Sequence, residues 1–216
     1  MINSVIIVAA GEGKRIGGNI PKQFIKLNNR TILSYSVNTF KSIKEISEII
    51  IVTSNNWYSH LSSMYKDCKI VLGGDSRRAS VKNGICACSN DTENILIHDA
   101  ARPFVSKNII TECLMLLNHN DVSVPLMDSY DTLLGINDKV DYLNRESIKI
   151  VQTPQCFKAE KLKSSIELNY DSTDEISLVL KKFPKTKIGI AKGSKLNFKI
   201  TDKDDLFIAK SISDKC

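Results

Sequence analysis

Short runs of consecutive apolar residues recur along the chain, and most are followed by a segment in which apolar residues return every three or four positions. The apolar runs predict buried strands at 4–9, 47–53, 69–72, 94–98, 121–126, 148–152, 187–191 and 197–201. The helical periodicity predicts helices at 31–42, 56–66, 77–89, 106–118, 158–168, 172–183 and 202–213. Apolar strands that alternate with helices indicate an α/β fold, with a mostly parallel, mixed sheet covered by helices on both faces.

The segment 128–147 departs from this alternation. It is polar but interleaves apolar residues, and its centre at 135–139 predicts the turn of a β-hairpin. A polar hairpin that leaves a compact sheet is either a flap or an arm that packs on a partner. Further along, Ser172 and Glu175 form a capping-box pattern at the start of the helix at 172–183.

Size, charge and cysteine content narrow the class of protein. A length of 216 residues predicts one domain with an ample core. The net charge of +6 comes from scattered basic residues, which favours small anionic substrates over nucleic acid. No apolar stretch is long enough for a membrane span, and the first strand begins without a signal-peptide pattern, so we expect a cytoplasmic protein. The six cysteines lack metal-site spacing and are expected to be reduced thiols.

The stretch at 5–24 carries the strongest chemical signal. An apolar strand over 5–10 is followed by Gly11 and Gly13, and then by three cations, Lys14, Arg15 and Lys22. Glycines at the end of a strand let backbone N–H groups approach an anion, and the cations neutralise a polyphosphate held there. The pattern predicts a phosphate-binding loop, with a solvated basic loop as the alternative interpretation.

Two common phosphate-binding motifs do not match this loop. The dinucleotide motif G-x-G-x-x-G fails because Gly17 falls one residue too late, and the next strand is not followed by an acidic residue. The P-loop string G-x-x-x-x-G-K-[ST] is absent from the sequence. The loop therefore represents a third kind of phosphate site.

Further motifs follow in a characteristic order. They are Pro-Lys-Gln-Phe at 21–24, Gly-Gly-Asp-Ser-Arg-Arg-Ala-Ser at 73–80, His-Asp-Ala-Ala-Arg-Pro at 98–103, Thr-Pro-Gln at 153–155 and Asn-Phe-Lys at 197–199. With these motifs the chain resembles the 2-C-methyl-D-erythritol 4-phosphate cytidylyltransferases of bacterial isoprenoid synthesis, from about residue 4 to residue 210. The similar ribitol 5-phosphate cytidylyltransferases more often have HDAVRP and TDAC. Ala101, and Thr-Asp-Glu at 173–175, favour the erythritol family.

The resemblance implies a single-domain, Rossmann-like nucleotidyltransferase fold over 1–216 with a protruding β-arm. It implies transfer of CMP from CTP to the sugar-alcohol phosphate, with release of pyrophosphate. The attacking phosphate oxygen is already anionic, so the protein must supply alignment and charge neutralisation rather than a general base. In the family the arm matching 128–147 crosses to a second subunit, which implies a homodimer. A non-catalytic nucleotide-binding module is the rival interpretation from another class.

Matched position by position, the resemblance also implies the residues of the site. Arg15, Lys22 and Lys199 are the expected catalytic residues. CTP is expected to contact Ala9, Ala10, Gly11, Gly13, Gly74, Asp75, Ser80 and Asp99, and the sugar phosphate Arg102, Ser129, Arg145 and Lys199. Asp99 is the expected ligand of Mg²⁺, the implied cofactor. Ser129 stands where the family usually has threonine, and Thr132 offers a rival hydroxyl.

Several of these residues have a second interpretation. Asp99 lies at the end of a strand, where a carboxylate binds Mg²⁺ or ribose, yet Arg102 could instead pair with it as a structural clamp. His98 faces the other side of that strand and is predicted to be a core histidine. Lys199, at the centre of a predicted strand, should share one face with Asn197 and Thr201.

Overall fold

The computed structural model describes residues 2–13, 16–17, 20–136, 140–168 and 174–214. Its strands are β1 Asn3–Ala9, β2 Lys26–Leu27, β3 Arg30–Thr31, β4 Ile46–Thr53, β5 Lys69–Leu72, β6 Asn94–Asp99, β7 Val122–Asp128, β8 Leu133–Ile136, β9 Val140–Leu143, β10 Lys149–Val151, β11 Gln155–Lys158 and β12 Ile188–Lys192. Eight of them form the central sheet in the order β10-β7-β11-β6-β1-β4-β5, with β12 also paired to β7.

The sheet is mixed, and its parallel part places several strand ends at one edge. β5, β4, β1 and β6 pair in parallel, so their carboxyl ends lie side by side. β11 runs antiparallel to both β6 and β7, which gives β7 the same direction as β6. Loops that follow parallel strands meet at the carboxyl edge, and in open α/β sheets this edge is where ligands bind.

Helices cover both faces of the sheet, which confirms the predicted fold class. They are α1 Ile32–Lys41, α2 Asn55–Met64, α3 Arg77–Ala87, α4 Lys107–Leu116, α5 Ala159–Ser165, α6 Glu175–Lys182 and α7 Lys203–Ser213. One apolar cluster joins β1 to α1, α2 and α4, and a second joins the opposite face to α3, α5 and α6. Val5, Ile6 and Ile7 are therefore all fully buried, because neither face of β1 meets water. No described helix has the length and apolar character needed to cross a membrane.

Two parts of the sequence-based assignment are wrong. The segment 197–201 is not a strand: a 3-10 turn at Lys195–Asn197 leads into extended chain that ends at α7. β11 was not predicted, although it lies in the middle of the sheet between β6 and β7. The apolar content of β11 is short and mixed, and its strand is set by its two neighbours rather than by a pattern of its own.

The arm has the predicted hairpin form. β8 and β9 pair in antiparallel register as a separate two-stranded sheet. Its apolar side chains are largely exposed, among them Tyr130, Ile136, Val140 and Tyr142. At the start of α6 the cap is Asp174, whose side chain accepts from Ser177 N, while Ser172 lies outside the described residues.

Candidate active site

A cleft at the carboxyl edge of the parallel strands has a volume of about 780 Å³. Each strand contributes the residues that follow it: 10–13 after β1, 54–55 after β4, 73–77 after β5 and 99–101 after β6. The rest of the lining consists of Val8, Lys22, Gln23, Ser80, Lys199 and Thr201. The volume suits a nucleotide, and the lining combines glycine backbone with charged side chains of both signs.

The loop after β1 is held in place by Gln23, which sequence reasoning did not single out. Gln23 is the middle residue of a 3-10 turn at Lys22–Phe24, and its buried side-chain amide donates to the carbonyl of Ala9 at 2.6 Å and to that of Gly11 at 2.8 Å. These two bonds engage carbonyl oxygens at the end of the strand. The loop and the turn that carries Lys22 therefore form one connected wall of the cleft.

Lys22 projects from this wall toward the carboxyl-terminal part of the chain. Its Nζ donates to the carbonyl of Ile200 at 2.7 Å. Phe24 is buried and stacks on Trp57, with ring centroids 3.8 Å apart. The stack joins the turn that carries Lys22 to α2, whose first residue also lines the cleft. The lysine is thus mounted on an anchored segment rather than on a solvated loop.

The turn after β5 approaches the cleft with bare backbone. A Cβ at Gly73 would lie 2.5 Å from Cβ of Ala10, and one at Gly74 would lie 2.5 Å from Cβ of Ala79, so neither position accepts a larger residue without movement. Ser80 is buried, and its hydroxyl accepts from Gly74 N at 3.2 Å. Ser76 caps α3 by accepting from Ala79 N.

Asp99 lies at the centre of a group of cations. Its carboxylate contacts Lys199 Nζ at 2.9 Å, Arg77 Nε at 3.4 Å and Arg102 Nε at 3.8 Å. Burial alone would raise the pKa of Asp99, but Lys199 and Arg77, with a smaller effect of Arg102, hold the pKa well below its ordinary value. Asp99 is therefore ionised at every pH at which the fold is expected to persist, and it fixes Lys199 at the cleft.

His98 has the core role that the sequence predicted. The ring is fully buried, with Nε2 3.1 Å from the carbonyl of Arg102 and Nδ1 3.1 Å from the hydroxyl of Thr153. A carbonyl only accepts, so Nε2 carries the proton and Nδ1 accepts from Thr153 Oγ1, which in turn accepts from Asp99 N at 3.2 Å. Burial lowers the pKa of His98 to about 4, which keeps the ring neutral.

We expect His98 to make stability depend on pH. Because its pKa falls from 6.5 to about 4 on folding, the unfolded chain binds a proton that the native state excludes between these values. Stability from this group is present above pH 6.5 and is lost as the pH falls toward 4, by a total of about 3 kcal/mol. Urea unfolding between pH 4 and 7 measures the slope.

The matched variants for this test are His98→Gln and His60→Gln. His98→Gln should be less stable at pH 7 but should show a flatter dependence on pH. His60 is exposed on α2, so His60→Gln should keep the wild-type slope. A wild-type slope in His98→Gln would contradict the buried, neutral state of this ring.

The residues of the cleft do not fit a magnesium site formed by protein side chains. Among the described residues, no three or more His, Cys, Asp or Glu side chains lie close enough together to hold a metal ion. The acidic residues that line the cleft are Glu12, Asp75 and Asp99, and the first two are exposed. Asp99 already neutralises cations, which disfavours a further divalent ion on it. Asp99 as a magnesium ligand stays a prediction that this geometry does not support.

Comparison with known proteins decides the family. The sequence model described as 2-C-methyl-D-erythritol 4-phosphate cytidylyltransferase matches residues 3–215. The chain belongs to this family. A cytidylyltransferase of this name from Clostridium botulinum (strain Loch Maree / Type A3) is 40% identical over 99% of this chain and 98% of its own. A bifunctional ribulose 5-phosphate reductase/CDP-ribitol pyrophosphorylase of Haemophilus influenzae is 36% identical over 97% of this chain and 48% of its own.

Solved structures agree with this assignment. The 4-diphosphocytidyl-2C-methyl-D-erythritol synthase of Anaerococcus prevotii has a TM-score of 0.87 at 28% identity, over 98% of this chain and 95% of its own. The 2-C-methyl-D-erythritol 4-phosphate cytidylyltransferase of Thermus thermophilus has a TM-score of 0.81 at 26% identity, over 99% of this chain and all of its own. The family, the fold class and the enzyme class that the sequence predicted are therefore confirmed.

Most of the residues predicted for the cytidylyltransferase site line one cleft. They are Ala10, Gly11, Gly13, Lys22, Gly74, Asp75, Ser80, Asp99 and Lys199. Ala9 lies one layer deeper, buried in β1, and contributes the carbonyl that Gln23 binds. Arg15 lies outside the described residues, as does Lys14. The roles of these residues stay predictions, but their proximity supports a single binding site.

Three predicted sugar-phosphate residues are absent from the cleft lining. Arg102 points to the carbonyl of Asn197 at 2.7 Å and pairs with Asp99, which matches the clamp interpretation. Ser129 and Arg145 lie at the base of the arm, where Arg145 donates to the carbonyl of Tyr130 at 3.3 Å. Within its own subunit, the arm therefore does not complete the cytidylyltransferase site.

Lys199 reaches the cleft by a different route from the predicted one. Asn197, which was expected on its face, is buried: its amide donates to Gln152 Oε1 at 3.2 Å and to the carbonyl of Thr153 at 2.9 Å. These bonds fix the segment to the Thr-Pro-Gln motif. The alternation of polar and apolar residues at 197–201 predicted one face of a strand. The segment is instead irregular, and the buried side chain of Asn197 holds it in place.

Proposed function

We propose that the cleft binds CTP with its triphosphate between Lys22 and Lys199, and with its base at the turn formed by Gly73 and Gly74. The observation that carries this proposal is the convergence of the two lysines and the bare backbone on one cleft. The anionic sugar phosphate attacks the α-phosphorus, a P–O bond forms, and the bond to the β-phosphate oxygen breaks with pyrophosphate as leaving group. The lysines neutralise the charge that develops on the phosphate oxygens.

The assembly that we propose is a homodimer in which the arm packs on the partner subunit. A two-stranded hairpin is marginally stable alone, and this one exposes Ile136, Val140 and Tyr142. Arg145 and Ser129 lie at its base, outside the cleft of their own chain. An arm that crosses to the other subunit would deliver them to the sugar-phosphate end of the partner's site.

The proposals for the cofactor and for the cellular location rest on general chemistry and not on a metal site formed by side chains. We propose that Mg²⁺ is required for the transfer and is supplied by the nucleotide, since polyphosphate and magnesium bind each other readily. We also propose a cytoplasmic enzyme: its described cysteines Cys68, Cys86, Cys88, Cys113 and Cys156 are all free thiols.

We expect CTP to be preferred strongly over UTP, ATP and GTP. A backbone turn presents N–H and C=O groups at fixed positions, and such groups distinguish the amino edge of cytosine from the carbonyl edge of uracil. Pyrophosphate release with each nucleotide, at one concentration of the sugar phosphate, measures the preference. Equal turnover with UTP would contradict base recognition by this turn.

Ribitol 5-phosphate is the second candidate for the acceptor. The relative from Haemophilus influenzae, named as a CDP-ribitol pyrophosphorylase, is 36% identical to this chain. The same assay with CTP and either 2-C-methyl-D-erythritol 4-phosphate or ribitol 5-phosphate separates the two. A larger kcat/KM with ribitol 5-phosphate would overturn the favoured acceptor while leaving the cytidylyl transfer intact.

A further inference from the structure

Four charged side chains of alternating sign connect α6 to the cleft. Glu175 Oε1 accepts from Arg77 Nη1 at 2.7 Å, and Arg77 Nε lies 3.4 Å from Asp99 Oδ1. The other oxygen of Asp99 contacts Lys199 Nζ at 2.9 Å. Each of the four comes from a different part of the fold: the first residue of α6, the first residue of α3, the end of β6 and the segment before α7. We refer to this row as the charge chain.

Burial of the Glu175 carboxylate at this position costs desolvation free energy. Only 2% of it is exposed, and its Oε2 has no hydrogen-bond partner among the described residues. A buried ion pair is weak evidence for stability, because the desolvation of the two charges offsets their attraction. Apolar residues in place of both partners would often serve the fold as well. The position of Glu175 is therefore better explained by what Arg77 does at the cleft.

We propose that Glu175 is a positioning residue for cytidylyl transfer: it holds Arg77 so that Asp99 keeps one carboxylate oxygen for Lys199. The inference rests on the proposed role of Lys199 at the phosphates. Arginine prefers to bind a carboxylate with two parallel hydrogen bonds. Without Glu175, Arg77 turns its second nitrogen onto Asp99 and competes with Lys199. Lys199, with its side chain one-third exposed, then moves toward solvent.

The balance of charge gives the proposal a distinctive signature. Asp99 faces three cations, Arg77, Arg102 and Lys199, and Glu175 supplies the second negative charge. Removal of the Glu175 charge makes the cleft more positive, so binding of the anionic CTP should not weaken. Its removal also loosens Lys199, and displacement of a charge-stabilising group by about 1 Å costs on the order of 100-fold in rate. The expected loss is in kcat, not in KM.

Glu175→Gln is the test, because glutamine keeps the shape and removes the charge. Its kcat for pyrophosphate release should fall by about 10- to 100-fold, with KM for CTP unchanged or lower. Glu167→Gln is the matched control. Glu167 pairs at 2.7 Å with Lys82, which lies on α3 as Arg77 does. Both of these side chains are exposed, and neither lines the cleft. Glu167→Gln should behave as wild type.

A double-mutant cycle separates positioning from a structural role. In a Lys199→Ala background, Glu175→Gln should cost less than about 3-fold further, because the residue through which it acts is gone. An equal loss in both backgrounds would overturn the proposal. If Lys199→Ala alone were nearly as active as wild type, the proposed role of Lys199 would fail, and the inference with it. Should Glu175→Gln fail to fold, Glu175→Asp and Glu175→Asn replace it in the test. Glu175→Asp keeps the negative charge and Glu175→Asn removes it. A kcat that is close to wild type in Glu175→Asp and lost in Glu175→Asn would support the proposal.

Discussion

Replacement of Lys22 by alanine is expected to lower kcat/KM by about 10²- to 10³-fold, the usual cost of one donor that stabilises developing charge. Lys22 extends into the cleft from an anchored turn that is bonded to the loop after β1. Its loss removes a positive charge where the leaving pyrophosphate must be neutralised. The measurement is pyrophosphate release at varied CTP, with circular dichroism to verify the fold.

Lys26 provides the control for this change. It lies four residues further along, on the short strand β2, and its side chain is exposed and absent from the cleft lining. Lys26→Ala should keep kcat/KM within about 2-fold of wild type, as surface changes of this kind usually do. Small and equal effects of the two substitutions would mean that the basic residues of this region form a solvated surface and not a phosphate site.

Mixing two inactive variants should restore activity if the site is shared between subunits. Arg145→Ala and Lys22→Ala homodimers are each expected to be nearly inactive. In a heterodimer, one of the two sites contains Lys22 of one subunit and Arg145 of the other, both intact. Random reassociation makes half of the dimers mixed, so an equal mixture should recover about a quarter of the wild-type activity.

The interpretation of that experiment depends on the state of assembly. Sedimentation should show a dimer for both variants and for their mixture, and differently tagged chains allow the heterodimer to be isolated. If a verified heterodimer stays inactive, Arg145 acts within its own subunit or away from the site. A mixture of Lys22→Ala with Lys199→Ala is the matched negative control and should stay inactive. Both lysines line the cleft of the same chain, so each site of the heterodimer lacks one of them.

The sequence predicted the part of the fold where each strand carries its own apolar run. β1, β4, β5 and β6 were all expected within one residue of their observed bounds, because each carries a continuous apolar run, which in β1 and β6 is buried on both faces. β11 was missed since its pairing partners, not its composition, make it a strand. The segment 197–201 was misassigned because the anchor that bends it is the buried amide of Asn197, which depends on distant Gln152 and Thr153.

The site shows the same division. Motif spacing predicted most of the residues that line the cleft, because the glycines and lysines of these motifs match the family position by position. Gln23 and Glu175 were not recognised, although both act on the cleft, since a residue that works through another one leaves no local pattern. Glu175 is 76 residues from Asp99 in sequence, and the two are brought into one row through Arg77, the first residue of α3.

The stack of Phe24 on Trp57 gives the enzyme an optical reporter. Trp57 is the only tryptophan in the chain, so its emission comes from one place, between the turn that carries Lys22 and the helix α2. If CTP draws Lys22 onto its phosphates, as proposed, we expect the environment of this ring to change before any bond is made. Stopped-flow fluorescence can therefore time the arrival of CTP separately from the release of pyrophosphate, and can assign the loss in each variant to one step or the other.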